Sequence, residues 1–316
     1  MIKKDISIFC AKDWPSSSAG ENDYQLLDTG EGEKLEKFGK YTFVRPYEDA
    51  VWPKCSTPSV QQMWKKADGK FWSSKTGAKA GWTFVKHPMF DKDKKWEMSY
   101  KGVKFLASPT PFRHLGFFPE QASHWDFIEE KIKNAKKPIK FLNLFGYTGV
   151  ASLFALRAGA EVTHLDASKQ TLKWAKENQE MNGDLKDLPM RIIEDDAIKF
   201  LEREEKRGNK YDCVIMDPPK FGRGPKGEIW KLEEMLPKLL LQVQKVLSDK
   251  PLFVILTSYA VDSSSLSLGY ALDNALKPAR LGGDFKGHIE QGELCVLEKS
   301  NNRIVSLANT AVWATL

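Results

Sequence analysis

The chain lacks the features that mark export, membrane insertion or metal capture. Its best apolar run, residues 252–256, falls far short of the ~20 residues a membrane helix needs. Residues 1–7 contain no apolar core of a leader and do not read as a secretion signal. Cys10, Cys55, Cys213 and Cys295 are scattered, with no C-x-x-C pair, and an unexported chain keeps such thiols reduced. The five histidines show no ligand spacing with them, so no metal is expected. The expectation is a cytoplasmic protein without a membrane or metal partner. Nothing in the pattern addresses oligomeric state.

A length of 316 residues suits two domains, and 41% hydrophobic with 28% charged residues describes an ordinary globular chain. The net charge of +6 is unevenly spread. Residues 54–112 hold 12 basic against 4 acidic side chains, interleaved with Trp64, Phe71, Trp72, Trp82, Phe84 and Trp96. Such a mixture can neutralise phosphates and stack on unpaired bases. It can equally be a small β-domain whose aromatics form the core and whose lysines face water. Both readings stay open.

Residues 1–111 read as a β-rich, candidate RNA-binding domain, with strands at 24–27, 41–44, 82–85, 96–100 and 103–106 and loops at 68–69 and 73–81. From residue 112 the pattern changes. After a helix through Trp125, Ile128 and Ile132, strands (141–145, 161–165, 191–193, 211–216, 252–256) alternate with helices (150–158, 168–183, 198–207, 237–247). Pro237 is placed in the first turn of the last helix. Such alternation requires a mostly parallel sheet covered on both faces. Residues 293–297 and 304–313, around Asn301-Asn302, read as a closing antiparallel hairpin. The fold class is α/β, with domains at 1–111 and 112–316.

In such sheets ligands bind at the carboxyl ends of the strands. The first loop there is Asn143-Leu144-Phe145-Gly146-Tyr147-Thr148-Gly149, whose glycines let a ligand lie against backbone. It is one glycine short of the G-x-G-x-x-G fingerprint for dinucleotides. Strand two ends at Asp166, twenty residues after Gly146, where a carboxylate can accept from both hydroxyls of a ribose. Ser168 is the candidate helix cap. After strand three, Glu194-Asp195-Asp196-Ala197 offers an acceptor for an adenine amino group, with Asp196 the preferred acid. After strand four comes Asp217-Pro218-Pro219-Lys220-Phe221. Its two prolines fix φ and hold a rigid rim of carbonyls and a carboxylate over the cleft, as methyl transfer requires when it depends on alignment. Residues 220–227 read as a loop whose Lys220, Arg223 and Lys226 can clamp a nucleic-acid backbone.

Taken together, residues 141–149, 164–168, Asn178, Asn182-Gly183 and 217–221 resemble bacterial class I methyltransferases that modify large-subunit ribosomal RNA, the cytosine carbon-5 branch above all. The likeness covers roughly residues 112–260. It includes Gly116-Phe-Phe-Pro-Glu-Gln121, which is similar to a G-F-F-x-D-Q segment beside the cofactor. The resemblance implies a Rossmann-like domain with a seven-stranded, mostly parallel sheet, S-adenosyl-L-methionine as cofactor, S-adenosyl-L-homocysteine as product and RNA as substrate. It implies that Phe145, Gly146, Tyr147 and Gly149 line the methionine end, with Gln121, Asn143, Ala167 and Ser168 in the same cofactor set. Asp166 then binds ribose, Asp196 and Ala197 sit by adenine, and Asp217 with Pro218 and Lys220 forms the reaction centre. Lys220, Phe221, Arg223 and Lys226 are the substrate-binding candidates.

The chain departs from that family at two places. Asn143 stands where class I enzymes usually carry an acid. The segment 256–260 after the fifth strand lacks the cysteine with which the carbon-5 enzymes attack the pyrimidine, and an unassisted hydroxyl is a far poorer nucleophile. Direct transfer to a nucleotide nitrogen or another acceptor is therefore expected. Lys220 also separates the D-P-P motif from its aromatic, unlike the amino-directed enzymes. Alternatives are a methyltransferase acting on a small molecule or a protein, a nicotinamide-dependent oxidoreductase, and an RNA-binding protein without catalysis.

Overall fold

The computed structural model describes residues 5–11, 13–14, 23–73, 79–85, 94–259, 264–276 and 287–315. Most of the expected loop at 73–81 and the end of segment 256–260 lie outside them. The described residues form two compact units. An α/β unit takes those within Met1–Phe9, Ser123–Leu294 and Ser306–Leu316, and a β-rich unit those within Cys10–Ala122 and Cys295–Val305. The expected boundary at 111/112 falls inside the longer segment of the β-rich unit.

Strand β1 (Ser7–Cys10) opens the chain. In the β-rich unit, β2 (Tyr24–Gly30), β3 (Glu33–Phe38) and β4 (Tyr41–Pro46) form an antiparallel meander with a two-residue turn at Glu31-Gly32. Helix α1 (Pro58–Lys65) precedes β5 (Gly69–Ser73), which pairs parallel with β4, and β6 (Ala80–Phe84) completes five strands. β7 (Trp96–Tyr100) and β8 (Val103–Ala107) pair separately. Three elements depart from the sequence expectation. β3 and β5 occupy charged or glycine-containing segments, and the burial of Leu35, Phe38 and Phe71 makes them strands. α1 buries no residue and starts on Pro58 in its first turn.

The aromatics of the basic stretch mostly serve this unit's core. Phe71 and Trp96 are buried, and Trp64, Trp82 and Phe84 are half-buried. Trp64 donates to Asp28 at 2.7 Å and Trp82 to the Thr110 carbonyl at 2.9 Å, while Trp72 is exposed. Glu36, fully buried, accepts two bonds from Arg45 at 2.6 and 2.7 Å and one from the Tyr24 hydroxyl at 3.0 Å. Burial alone would raise its carboxyl, yet Arg45, Lys34 and these hydrogen bonds hold it down to about 2.

In the α/β unit, β9 (Lys140–Leu144) pairs parallel with both β10 (Glu161–Asp166) and β12 (Cys213–Met216). β10 carries β11 (Met190–Glu194) in parallel, and β12 carries β15 (Phe253–Ser258). β16 (Gly287–Leu297) and β17 (Ile304–Thr315) extend the sheet, β17 running antiparallel to β15. The order is β1-β16-β17-β15-β12-β9-β10-β11, eight strands where seven were expected, with β1 the addition.

Alternate residues of the central strands feed two cores, one on each face. Leu142, Leu144, Val214, Met216, Val254 and Leu256 enter one core. Phe141, Cys213, Ile215, Phe253 and Ile255 enter the other. The second core is covered by α2 (Ala122–Asn134) and α3 (Val150–Arg157), and α4 (Lys169–Glu180) follows β10. The first is covered by α5 (Ala197–Lys206), α6 (Leu232–Val246) and α7 (Ser265–Leu276). α6 starts at Leu232, so Pro237 lies inside it and not in its first turn. The burial of Trp230 and Leu232 draws the start back, and Glu233 and Glu234 fill that turn. α7 has a serine-rich start, and Leu268, Leu272 and Leu276, recurring every four residues on one face, are buried and secure it. Among the described residues, no helix is long and apolar enough to cross a membrane.

Candidate active site

The register of the parallel strands brings four loops out together. Leu144 is level with both Met216 and Leu165, and Asp166 is level with Glu194. The next residues, Phe145, Ala167, Asp195 and Asp217, therefore leave one edge of the sheet side by side. The chain reaches β10 and β11 on one side of β9 and returns to β12 and β15 on the other. This reversal is the switch point at which doubly wound sheets bind ligands.

The first loop is backbone held in a strained form. Phe145 and Tyr147 have φ of 58° and 53°, a left-handed conformation that costs aromatic residues of order 1–3 kcal/mol each. Asp166 secures it: Oδ2 accepts from the Tyr147 amide at 2.9 Å. Oδ1 accepts from the Ser168 amide at 2.9 Å and from Thr171 Oγ1 at 3.0 Å. Gly146 donates to the Leu165 carbonyl at 2.9 Å. Gly149, at φ 82°, precedes α3, and Asn178 Nδ2 holds the Thr148 carbonyl at 2.9 Å.

Beneath the loop lies a buried polar chain. Asn143 Nδ2 donates to Ser152 Oγ at 3.0 Å, and that hydroxyl bonds His164 Nδ1 at 3.0 Å. Asn143 and His164 are register partners on neighbouring strands, so they share a face. Burial pushes the His164 imidazole toward its neutral form, against the pull of Asp166. A Cβ on Gly146 would stand 2.2 Å from His164 Cε1, so this glycine is demanded by the ring beneath it.

After β11, the acids divide their work. Asp196 is the N-cap of α5, its Oδ1 accepting from the Lys199 amide at 3.0 Å. Asp195 accepts from the Asp196 amide at 2.8 Å and pairs with Arg203. Ser168 is likewise a cap, accepting from Thr171 at 3.4 Å. Ala167 is half-buried and Ala197 buried. Gln121 is buried in a 3-10 turn (Pro119–Gln121) of the β-rich unit.

Asp217 is half-buried, Pro218 buried and Lys220 exposed. The segment expected to be an open loop after them is a two-stranded hairpin, β13 (Phe221–Arg223) against β14 (Ile229–Lys231). Bonds from Gly224 N to the Glu228 carbonyl (2.8 Å) and Gly227 N to the Gly224 carbonyl (3.0 Å) close its turn. Sequence reasoning missed Trp230. It is buried, donates from Nε1 to the Pro219 carbonyl at 2.6 Å and meets the Phe145 ring edge-on at 5.0 Å. Its one sequence signal is a tryptophan at alternate spacing with Leu232 after a glycine-rich turn. Ser152 and His164 were missed as well, because only the pairing of β9 with β10 and the packing of α3 bring them to Asn143, and Thr171 was missed although its partner Asp166 is five residues away.

The crystal structure of the SAM-dependent methyltransferase from Agrobacterium tumefaciens is 40% identical to this chain, with 98% of this chain and 94% of that one covered at a TM-score of 0.86. The chain belongs to the S-adenosylmethionine-dependent methyltransferases. Within this methyltransferase, residues 122–255 match the family described as conserved hypothetical protein 95. The ribosomal RNA large subunit methyltransferase K/L of Pseudoalteromonas translucida is 31% identical over 163 residues, 51% of this chain and 22% of the relative. The ribosomal RNA large subunit methyltransferase I of Aeromonas salmonicida is 36% identical over 121 residues, 38% of this chain and 29% of the relative. The methyltransferase thus spans less than a third of the length of these two curated relatives.

Proposed function

We propose that the α/β unit binds S-adenosylmethionine at the shared carboxyl edge of β9, β10, β11 and β12 and directs its methyl group to RNA, ribosomal RNA being the substrate class. The observation that carries this reading is the common exit of the strained 145–149 loop, Asp166, Asp195-Asp196 and Asp217-Pro218-Pro219 at the switch point. The donor set fits the cofactor. Asp166 Oδ2 has one in-chain donor among the described residues, so it keeps a lone pair for a ribose hydroxyl. Asp196 spends Oδ1 on its helix and has Oδ2 to offer an adenine amino group, beside Ala197. Phe145, Gly146, Tyr147 and Gly149 present backbone to the methionine end, supported by Asn143, Ala167 and Ser168.

The bound cofactor supplies a methyl group on a sulfonium. Asp217 and Pro218, with Lys220 beside them, hold the acceptor in line with it, since alignment rather than strong acid–base chemistry is what the step needs. Direct transfer is the route. Cys213 is fully buried with its thiol pushed well up by that burial, and Cys295 is buried too, so neither thiol serves as nucleophile. Lys220, Phe221, Arg223 and Lys226 receive the substrate, and the basic stretch 54–112 of the β-rich unit makes RNA contacts of its own. The names of the partly matching curated relatives support RNA as substrate, and such a substrate implies action in the cytoplasm.

The test is transfer of tritiated methyl to unmodified ribosomal RNA, with calorimetric titration of S-adenosylmethionine alongside. Labelled RNA and saturable cofactor binding are expected. Label that appears only in small molecules would defeat the RNA assignment, and absence of cofactor binding would defeat the whole reading.

A further inference from the structure

The β13–β14 hairpin has two unlike faces. Directly opposed residues of an antiparallel pair share a face. Gly222 opposes Trp230 on the inner face, where Trp230 is bolted to Pro219 and Phe145. A Cβ on Gly222 would come within 3.2 Å of Pro219 Cγ. The remaining pairs, Phe221 with Lys231 and Arg223 with Ile229, therefore occupy the outer face, and all four are exposed. Phe221 and Ile229 each keep 58% exposure, so this face gives the fold almost nothing.

Between Lys220 and Lys231 there are four cations and one carboxylate. That carboxylate, Glu228, is held by Lys199 and by the Lys226 amide, and Lys231 pairs with Glu234. The Arg223 guanidinium and the Lys226 ammonium have no ion-pair partner among the described residues. An exposed aromatic and an exposed aliphatic side chain on a hairpin that also carries these two cations without an ion pair match a single nucleic-acid strand, which offers base faces and phosphates together. A double helix buries its base faces.

We propose that the outer face of this hairpin is a platform for an unpaired nucleotide, with Phe221 and Ile229 stacking on its base and Arg223 and Lys226 neutralising the neighbouring phosphates. The proposal rests on the methyltransferase reading and narrows its substrate to single-stranded RNA. Phe221 lies four residues from Asp217, at most about 14 Å along an extended chain, so the stacked base is a near neighbour of the methylated one.

The test measures binding of the full chain to a short fluorescein-labelled RNA of mixed sequence, alone and annealed to its complement, at fixed salt. The single strand is expected to bind tighter. Phe221→Ala weakens it about tenfold, Phe221→Trp keeps it, and Arg223→Ala lowers the salt slope by about one. Calorimetric affinity for S-adenosylmethionine stays as in the wild type for all three variants. Equal binding of single strand and duplex, or wild-type binding by Phe221→Ala, overturns the platform while cofactor binding persists. Loss of cofactor binding by the wild-type chain instead defeats the underlying reading.

Discussion

Substituting Gly146 by alanine tests whether the cofactor loop is dictated by the buried polar chain beneath it. The new Cβ would stand 2.2 Å from His164 Cε1 and 2.4 Å from Nδ1. Ordinary contact begins near 3.5 Å, so ring or loop must shift by roughly 1.3 Å. The ring has little room, because His164 is fully buried and its Nδ1 is bonded to Ser152 at 3.0 Å. The loop gives way instead, against the Tyr147–Asp166 bond at 2.9 Å. Overpacking of this kind costs about 1–3 kcal/mol, which in a unit of this size lowers Tm by about 2–4 °C for each kcal/mol. Affinity for S-adenosylmethionine falls about tenfold for each 1.4 kcal/mol of loop distortion carried into the site. Thermal unfolding and calorimetric titration measure both. In the double variant Gly146→Ala/His164→Ala the obstructing ring is gone, and a favourable coupling of about 0.5–3 kcal/mol is expected. If Gly146→Ala melts and binds like the wild type, or the double variant shows no relief, the argument for this glycine is wrong.

Other expectations follow from the same geometry. Asp166→Ala removes the acceptor of three in-chain donors, so cofactor binding by calorimetry should drop at least about tenfold and stability by about 1–3 kcal/mol. A Cys213→Ala variant should retain methyl transfer to RNA, and its complete inactivity in the tritium assay would refute direct transfer. Trp230→Phe deletes the N–H bonded to Pro219 but keeps the ring on Phe145. It should cost about 1 kcal/mol of stability and lower kcat more than it raises KM for the cofactor. Glu204 is fully buried, which alone would raise its pKa, but bonds from Arg191, Tyr211, Asn209 and Arg207 bring it from 4.5 to about 2. A folded pKa below the unfolded one means that its stabilisation is complete above about pH 4.5 and is lost as pH falls toward 2. Urea unfolding across that window should show a slope that Glu204→Gln flattens.

Much of the α/β architecture is legible in the chain itself. Strands such as 213–216 are runs of apolar residues between helical segments, and a parallel sheet buried on both faces is the only way to satisfy them. The positive φ of Gly149 and the missing N–H groups of the two prolines after β12 are local chemistry that acts within a few residues, so these strand ends could be read from the chain, whereas the need for glycine at 146 comes from the His164 ring on the neighbouring strand. The segments that sequence misjudged were those stabilised by packing against other elements. β3, β5 and the early start of α6 exist because Leu35 is covered by Leu27, Val44 and Trp64, Phe38 by Phe117, Phe71 by Trp82 and Trp230 by Phe145, each on another element. Only the tertiary structure decided how the polar residues of the site are spent. It turned Asn143 toward Ser152, made Asp196 a helix cap, gave Asp166 the Tyr147 amide and folded 221–231 into a hairpin held by Trp230. A sequence records which groups can accept or donate, whereas three-dimensional packing decides which of them already have, and a ligand can use only what remains.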